Sequence, residues 1–185
     1  MGKSFWLFSL GVFLKSKRSL TGKFLIARPV LRDPNFLQTV ILLLQHDSGG
    51  AFGLVLNRPL PPEAWSLPFP LYVGGPCKSE GILIIHNHRD WVDPGSIKER
   101  QVAPGLFIGD ENSMQRATEA NEKKEEGRFR MVTGYSGWGP GQLENELNEG
   151  AWAIVPASAG DIFDIPDKNK WVTLLPSAIP SPSDN

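Results

Sequence analysis

The chain of 185 residues predicts a single α+β domain with many short strands and few helices. Three observations carry that reading. Apolar runs of strand length, such as "TVILLLQ" and "GILIIH", recur between clusters of turn residues. Glycine (19) and proline (16) are both abundant, which suits tight turns and argues against a helical bundle. A sustained helical period runs through one long stretch, Glu111 to Glu126. The length suits one domain able to bury a core. Its expected parts are an N-terminal extension (1–19), the domain proper (20–175) and a disordered Pro/Ser tail (176–185).

In chain order, Phe24 to Ala27 reads as a short buried strand ended by Pro29, and Asp33-Pro34-Asn35 as a turn. Thr39 to Gln45 is a central strand. The turn Ser48-Gly49-Gly50 joins it to a second strand, Ala51 to Leu56, as a β-hairpin. The prolines between Pro59 and Pro70 leave a loop with a helical turn near Glu63 to Trp65. "LYVGGPC" and "GILIIHNH" supply two strands around Gly74-Gly75-Pro76, and "APGLFIGD" supplies another. In the long helix, Met114, Ala117 and Ala120 share an apolar face, the charges of "EANEKKEE" form a solvated one, and Gly127 ends it. "RFRMVTGYSG" returns to strand. "GPGQLENELNEG" is a short helix with Pro140 near its first turn and Gly150 past its end. "AWAIVPA" is a strand, and "SAGDIFDIP" a short helix capped by Ser158.

The formal net charge of -1 gives no electrostatic pull toward DNA or an anionic membrane. Cys77 is the one cysteine, so an intramolecular disulfide is excluded and a reducing compartment such as the cytoplasm is expected. The run Phe5 to Leu14 is too short to cross a bilayer as a helix, which takes about 20 residues. No small-residue cleavage site follows it, and Trp6 stands where a myristoylation signal needs Ser or Thr. Three readings stay open: an extension packed on the domain, a membrane-surface or uncleaved signal-like segment, and a misassigned start.

No phosphate-binding loop and no dinucleotide fingerprint occurs. "GYSGW" is not a nucleophile elbow, because Trp138 follows Ser136 by two where glycine is needed. His86 and His88 are the most metal-like pair. They lack a C-x-x-C or H-E-x-x-H context, so structural or surface histidines are expected and no metal. Cys77 has a single nearby cation, Lys78, and is expected to be buried and inert. No catalytic residue and no cofactor is assigned.

The stretch from Gly134 to Trp152, "GYSGWGPGQLENELNEGAW", sets glycines and an indole ahead of a helix. A glycine-rich turn and a helix start can together hold an anion or carbonyl group, with Trp138 as a wall. The alternative is that the glycines serve the turn and Trp138 fills the core. With "GKFLIARPVLRDPNFLQTVILLLQHDSGGAFGLVLNRP" (Gly22 to Pro59) and "VGGP" (Val73 to Pro76), this stretch resembles the AlgH/YqgE family of small bacterial proteins. The resemblance runs in order from about Leu20 to Trp171 and departs at the apolar extension, the Pro59 to Pro70 segment and the tail. It implies a bifurcated, barrel-like, mostly antiparallel sheet flanked by helices, and a bacterial cytoplasmic protein. It implies no established activity, although one branch is labelled a transcriptional regulator tied to alginate production.

The residues matching the family motifs are Asn57, Arg58, Pro59, Gly74, Gly75, Pro76, Gly134, Trp138, Gly139, Pro140, Gly141 and Gln142. The expected ligand-binding set is Asn57, Arg58, Gly74, Gly75, Gly134, Trp138, Gly139, Gly141 and Gln142, lining one shallow pocket. On that reading Gly139→Val disturbs the turn, while Arg58→Ala leaves the fold intact and abolishes an interaction. The expected function is a non-enzymatic binding or regulatory protein acting through a small molecule or a protein partner. The alternatives are direct DNA binding, which the charge and the lack of a recognition helix disfavour, and an enzyme using His86 or Ser136.

Overall fold

The structure, a computed structural model, describes residues 19–64, 66, 69–109, 111–122 and 128–177. The expected N-terminal extension therefore lies outside the described residues, save for Ser19. So do Trp65, the end of the long helix with Gly127, and residues 178–185 of the expected tail. Nine strands are described: β1 (Lys23–Ala27), β2 (Val40–Asp47), β3 (Gly50–Val55), β4 (Leu71–Val73), β5 (Cys77–His86), β6 (Gln101–Ala103), β7 (Leu106–Ile108), β8 (Phe129–Trp138) and β9 (Trp152–Pro156). The described helices are α1 (Ile97–Arg100), α2 (Glu111–Glu122), α3 (Gln142–Asn148), α4 (Ala159–Phe163) and α5 (Asp167–Leu174).

The strands form one sheet in the order β6-β7-β5-β8-β3-β2-β1-β9, with β4 joined to β8 off that path. Pairing is antiparallel throughout except between β4 and β8, which run parallel. The fork lies on one edge of β8. Met131 to Thr133 pair there with β4, and Ser136 to Trp138 pair with β3. Gly134 falls between the two partners at φ 70°, a left-handed conformation that favours glycine, and a Cβ there would meet the Cys77 carbonyl at 2.9 Å.

The fork curls the sheet into a half-barrel. Strand alternation then divides the core. Phe24, Ile26, Val40, Leu42, Leu54, Ile85, Val132 and Val155 form the interior, to which α4 and α5 add Ile162 and Leu174. Leu25, Ala27, Ile41 and Leu43 face out from the first arm and are covered by Leu143 and Leu147 of α3. Ile84 and Met131 face out from the second arm and are covered by Ala117 and Ala120 of α2. Residues Val40 to Leu43 are buried on both faces, which is why that stretch reads as a continuous apolar run.

One local expectation changes, and three elements escape the sequence. β8 runs to Trp138, one residue past the expected strand, so the glycine-rich turn is confined to Gly139–Gly141. Cys77 is half-buried at the start of β5 rather than enclosed. β6 and α1, with three and four residues, are too short to show a period. α5 escapes pattern reading because its buried side chains include Lys170 while its Val172 is exposed.

Candidate functional site

All three motif segments meet at the fork. Gly74 N–H donates to the Thr133 carbonyl at 2.8 Å, Val55 N–H donates to the Gly74 carbonyl at 2.9 Å, and Val73 N–H donates to the Arg58 carbonyl at 2.9 Å. The fully buried Ser136 hydroxyl donates to the Gly74 carbonyl at 3.0 Å, a structural role that leaves it no access to a substrate. A Cβ on Gly74 would lie 2.4 Å from the Gly134 carbonyl, and one on Gly75 would lie 2.3 Å from the Tyr135 carbonyl. Two backbones therefore run in contact here, and these glycines are what lets them approach.

The third segment forms a side-chain network at the start of α3. Gly139 N–H donates to Gln142 Oε1 at 3.1 Å, and Gln142 Nε2 donates to Glu146 Oε1 at 3.0 Å. Glu146 Oε2 accepts both indole N–H groups, from Trp138 and Trp152, at 2.8 Å each. The two rings cross edge to face with centroids 6.0 Å apart. This explains the residue choice of the Gly134 to Trp152 stretch. Each buried indole needs a partner for its one polar atom. Gly141 at φ 73° bends the chain so that α3 can bring Glu146 to both. Trp138 is 6% exposed and fills the core on the α3 face.

Asn57 and Arg58 hold the crossing between β1 and β2. Asn57 Oδ1 accepts from Val40 N–H at 3.0 Å, and its Nδ2 donates to the Gln38 carbonyl at 2.9 Å. The Arg58 guanidinium donates to the carbonyls of Asn35 (2.7 Å), Leu37 (3.0 Å) and Pro34 (3.3 Å). Gln38 sits at a positive φ of 56°, an unusual conformation for its type, inside this clamp. The clamped loop carries Phe36, whose ring lies 6.2 Å from that of Trp138 and 5.6 Å from that of Trp152. Arg58 and Trp138 are thus linked through Phe36, and their polar groups are engaged within the chain.

A second polar cluster was not anticipated from the sequence. Arg130, 7% exposed, donates to the carbonyls of Leu56 and Ile162 at 2.7 Å each and pairs with Asp167 Oδ1 at 2.7 Å. Tyr72 donates to Asp167 Oδ2 at 2.9 Å, and the guanidinium carbon lies 4.4 Å from the Tyr72 ring centroid. The fully buried Lys170 donates to the carbonyls of Asp161, Ile162 and Ile165 at 2.6, 2.8 and 2.8 Å. Those of Asp161 and Ile162 belong to the end of α4, where helical carbonyls lack partners. Burial lowers the Lys170 ammonium to about 8, with Arg130 adding to the effect and Asp167, Asp161 and Asp164 opposing it. Burial raises the Tyr72 phenol to about 12, Arg130 opposing and Asp167 adding. The alternation of β8 holds the one available signal: Arg130 shares the inward face of Val132.

His86 is fully buried, with Nδ1 accepting from His88 N–H at 3.2 Å and rings of Trp91 and Phe107 beside it. His88 stacks on Trp91 at 4.2 Å, and desolvation holds it below the ordinary histidine range against the pull of Asp90. Among the described residues no group of three or more His, Cys, Asp or Glu side chains is placed to hold a metal. No described helix is long and apolar enough to cross a membrane.

These features define a single-domain α+β protein built on a forked half-barrel sheet. The AlgH-like family model matches residues 24–181, and the chain belongs to that family. It is 37% identical over 170 residues to a UPF0301 protein of Streptomyces avermitilis, with 85% of this chain and 86% of the relative covered. It is 33% identical over 171 residues to one of Paraburkholderia phymatum, with 85% and 87% covered. The solution structure of the AlgH protein from Pseudomonas aeruginosa, 30% identical, superposes with a TM-score of 0.62 over 87% of this chain and 89% of that one. The crystal structure of protein DIP2367 from Corynebacterium diphtheriae, 24% identical, gives 0.67 over 89% of each and shares the fold.

Proposed function

We propose that the protein is a non-enzymatic, cytoplasmic binding protein with a regulatory role, and that it docks a protein partner on the surface formed by Gly137, Gly139, Pro140 and Gly141. One observation carries this. Gly139 is exposed and has no positive φ, and a Cβ built on it would find its nearest neighbour, Gln142 Oε1, at 4.0 Å. The fold has no steric need for glycine there, whereas an exposed strip with little side-chain cover suits close approach by another chain. The polar side chains bordering the strip point inward to Glu146, so the strip offers backbone and shape. The hydroxyl of Ser136 is engaged inside the fold, which weighs against the enzyme reading. The lone Cys77 supports the cytoplasmic assignment.

The test is photocrosslinking in the host cells, with a benzophenone amino acid in place of Pro140 and, as a control, in place of the exposed Lys98. A discrete protein adduct from position 140, lost when Gly139→Arg is added, is the expected result. Equal adducts from both positions would refute the surface. A small molecule retained at one per chain in native mass spectrometry would move the reading to a small ligand.

A further inference from the structure

We propose that His46 is an acid-released clip holding the N-terminal end of the domain on the sheet. Leu20 N–H donates to His46 Nδ1 at 3.0 Å, and Ser19 Oγ donates to the His46 carbonyl at 2.8 Å. On the far side of the ring, Nε2 lies 2.8 Å from Glu144 Oε1 of α3. The His46 side chain is 9% exposed, so water competes poorly for its bonds to Ser19 and Leu20, while the Glu144 side chain is 49% exposed. The geometry fixes the tautomer. A ring nitrogen that accepts from an N–H carries no proton, so Nδ1 is bare and Nε2 bears the hydrogen that Glu144 receives.

Histidine ordinarily gains its second proton between about pH 8 and 5. Here that proton would arrive on Nδ1, facing Leu20 N–H, and set a donor against a donor. The same proton turns the Glu144 contact into a charge-assisted ion pair. Acid therefore keeps the imidazole on α3 and expels Leu20. The charged groups around the ring are Glu144 from α3 and Asp47, next along β2, whose carboxylate accepts from Gln45 Nε2 and Gly49 N–H. The Ser19 and Thr21 hydroxyls, paired at 3.1 Å, are neutral. The next anchor along the chain is Gly22 N–H to the Leu43 carbonyl at 2.8 Å, a backbone bond with no titrating partner. Release stops there, and β1 keeps its place.

The experiment is an NMR titration of the full chain, following the His46 ring and the exchange rates of the Leu20 and Gly22 amides, corrected for the intrinsic effect of pH. Leu20 exchange is expected to rise about tenfold, the equilibrium value of one net hydrogen bond, with the midpoint of the ring, while Gly22 stays protected. In His46→Gln, which has no titrating ring, the rise in Leu20 exchange should vanish while Gly22 stays protected. Leu20 protection that is constant across the ring titration would overturn the clip. So would a rise in Leu20 exchange that persists in His46→Gln.

Discussion

Two half-buried carboxylates each fix a helix to the sheet, on opposite faces and with opposite chemistry. Glu146 anchors α3 on the outer face of the first arm and accepts only from neutral donors, two indoles and an amide. Asp167 anchors α5 against the interior and accepts from a buried guanidinium and a phenol. Removing Glu146 from the first network leaves only neutral groups unpaired. Removing either charged partner from the second leaves a charge unpaired in a poorly solvated place, which is the more expensive failure. The comparison makes the Asp167 side the stability-critical half and predicts that it also sets the pH response.

The largest expected effect is therefore at Arg130. Arg130→Met keeps apolar volume but strands Asp167 and the carbonyls of Leu56 and Ile162. A loss of about 3–5 kcal/mol is expected in urea unfolding. A loss under about 1 kcal/mol would mean that the buried pair contributes little beyond an apolar contact.

The pH response follows from the same cluster. The Lys170 ammonium titrates near 8 when folded, against 10.5 for a lysine in water. Between those values the unfolded chain binds the extra proton, so stability rises with pH. Tyr72 titrates at about 12 when folded, against 10.0 for a tyrosine in water. Between those values the folded chain holds the extra proton, so stability falls with pH. Denaturant midpoints should climb from about pH 8 to about pH 10 and decline above about pH 10.5. Lys170→Met should remove the climb and leave the decline. A climb that persists in that variant would assign it to another group.

On the other side, Glu146→Ala should cost about 2–3 kcal/mol by leaving two indole N–H groups without acceptors. Tryptophan emission should shift as Trp138 and Trp152 lose their common partner. A cost equal to that of Arg130→Met would erase the distinction between the two anchors. Arg58→Ala comes next, at about 1–2 kcal/mol, because three carbonyls of the 34–37 loop lose their donor. Read from sequence, Arg58 has a ligand role and no effect on folding. A variant as stable as the parent would restore that expectation.

The same contrast explains what was legible in the sequence. Every partner of Glu146 lies within eight residues of it, so the whole network sits inside one readable motif. The hairpin of β2 and β3, the caps of α3 and α4 and the apolar face of α2 are local in the same sense. Asp167 meets Tyr72 across 95 residues, and no local pattern marks either as a partner of the other. Arg130 was visible only as a charge in an inward row, and Lys170 left no trace because it is satisfied by backbone carbonyls. The motif glycines were recognisable, but their division of labour was not. Gly74, Gly75 and Gly134 answer to close backbone contact or φ, which the folded geometry alone reveals.

The smallest expected effect is the most informative for the partner surface. Gly139 stands between two glycines of different kind. Gly141 is held at φ 73°, so Gly141→Ala should cost about 1–2 kcal/mol in backbone strain even though nothing lies within 4 Å of its Cβ. Gly139 has neither the positive φ nor the crowding, and its N–H bond to Gln142 survives any side chain. Gly139→Ala should change stability by less than about 0.5 kcal/mol, against the expectation from sequence that the turn requires glycine. Thermal and urea unfolding of the two alanine variants, measured side by side, would show the difference. If Gly139→Ala is as damaging as Gly141→Ala, the glycine serves the fold and the bare strip loses its main support. If it is silent in stability while crosslinking from position 140 falls, folding no longer accounts for the glycine and contact with another chain does.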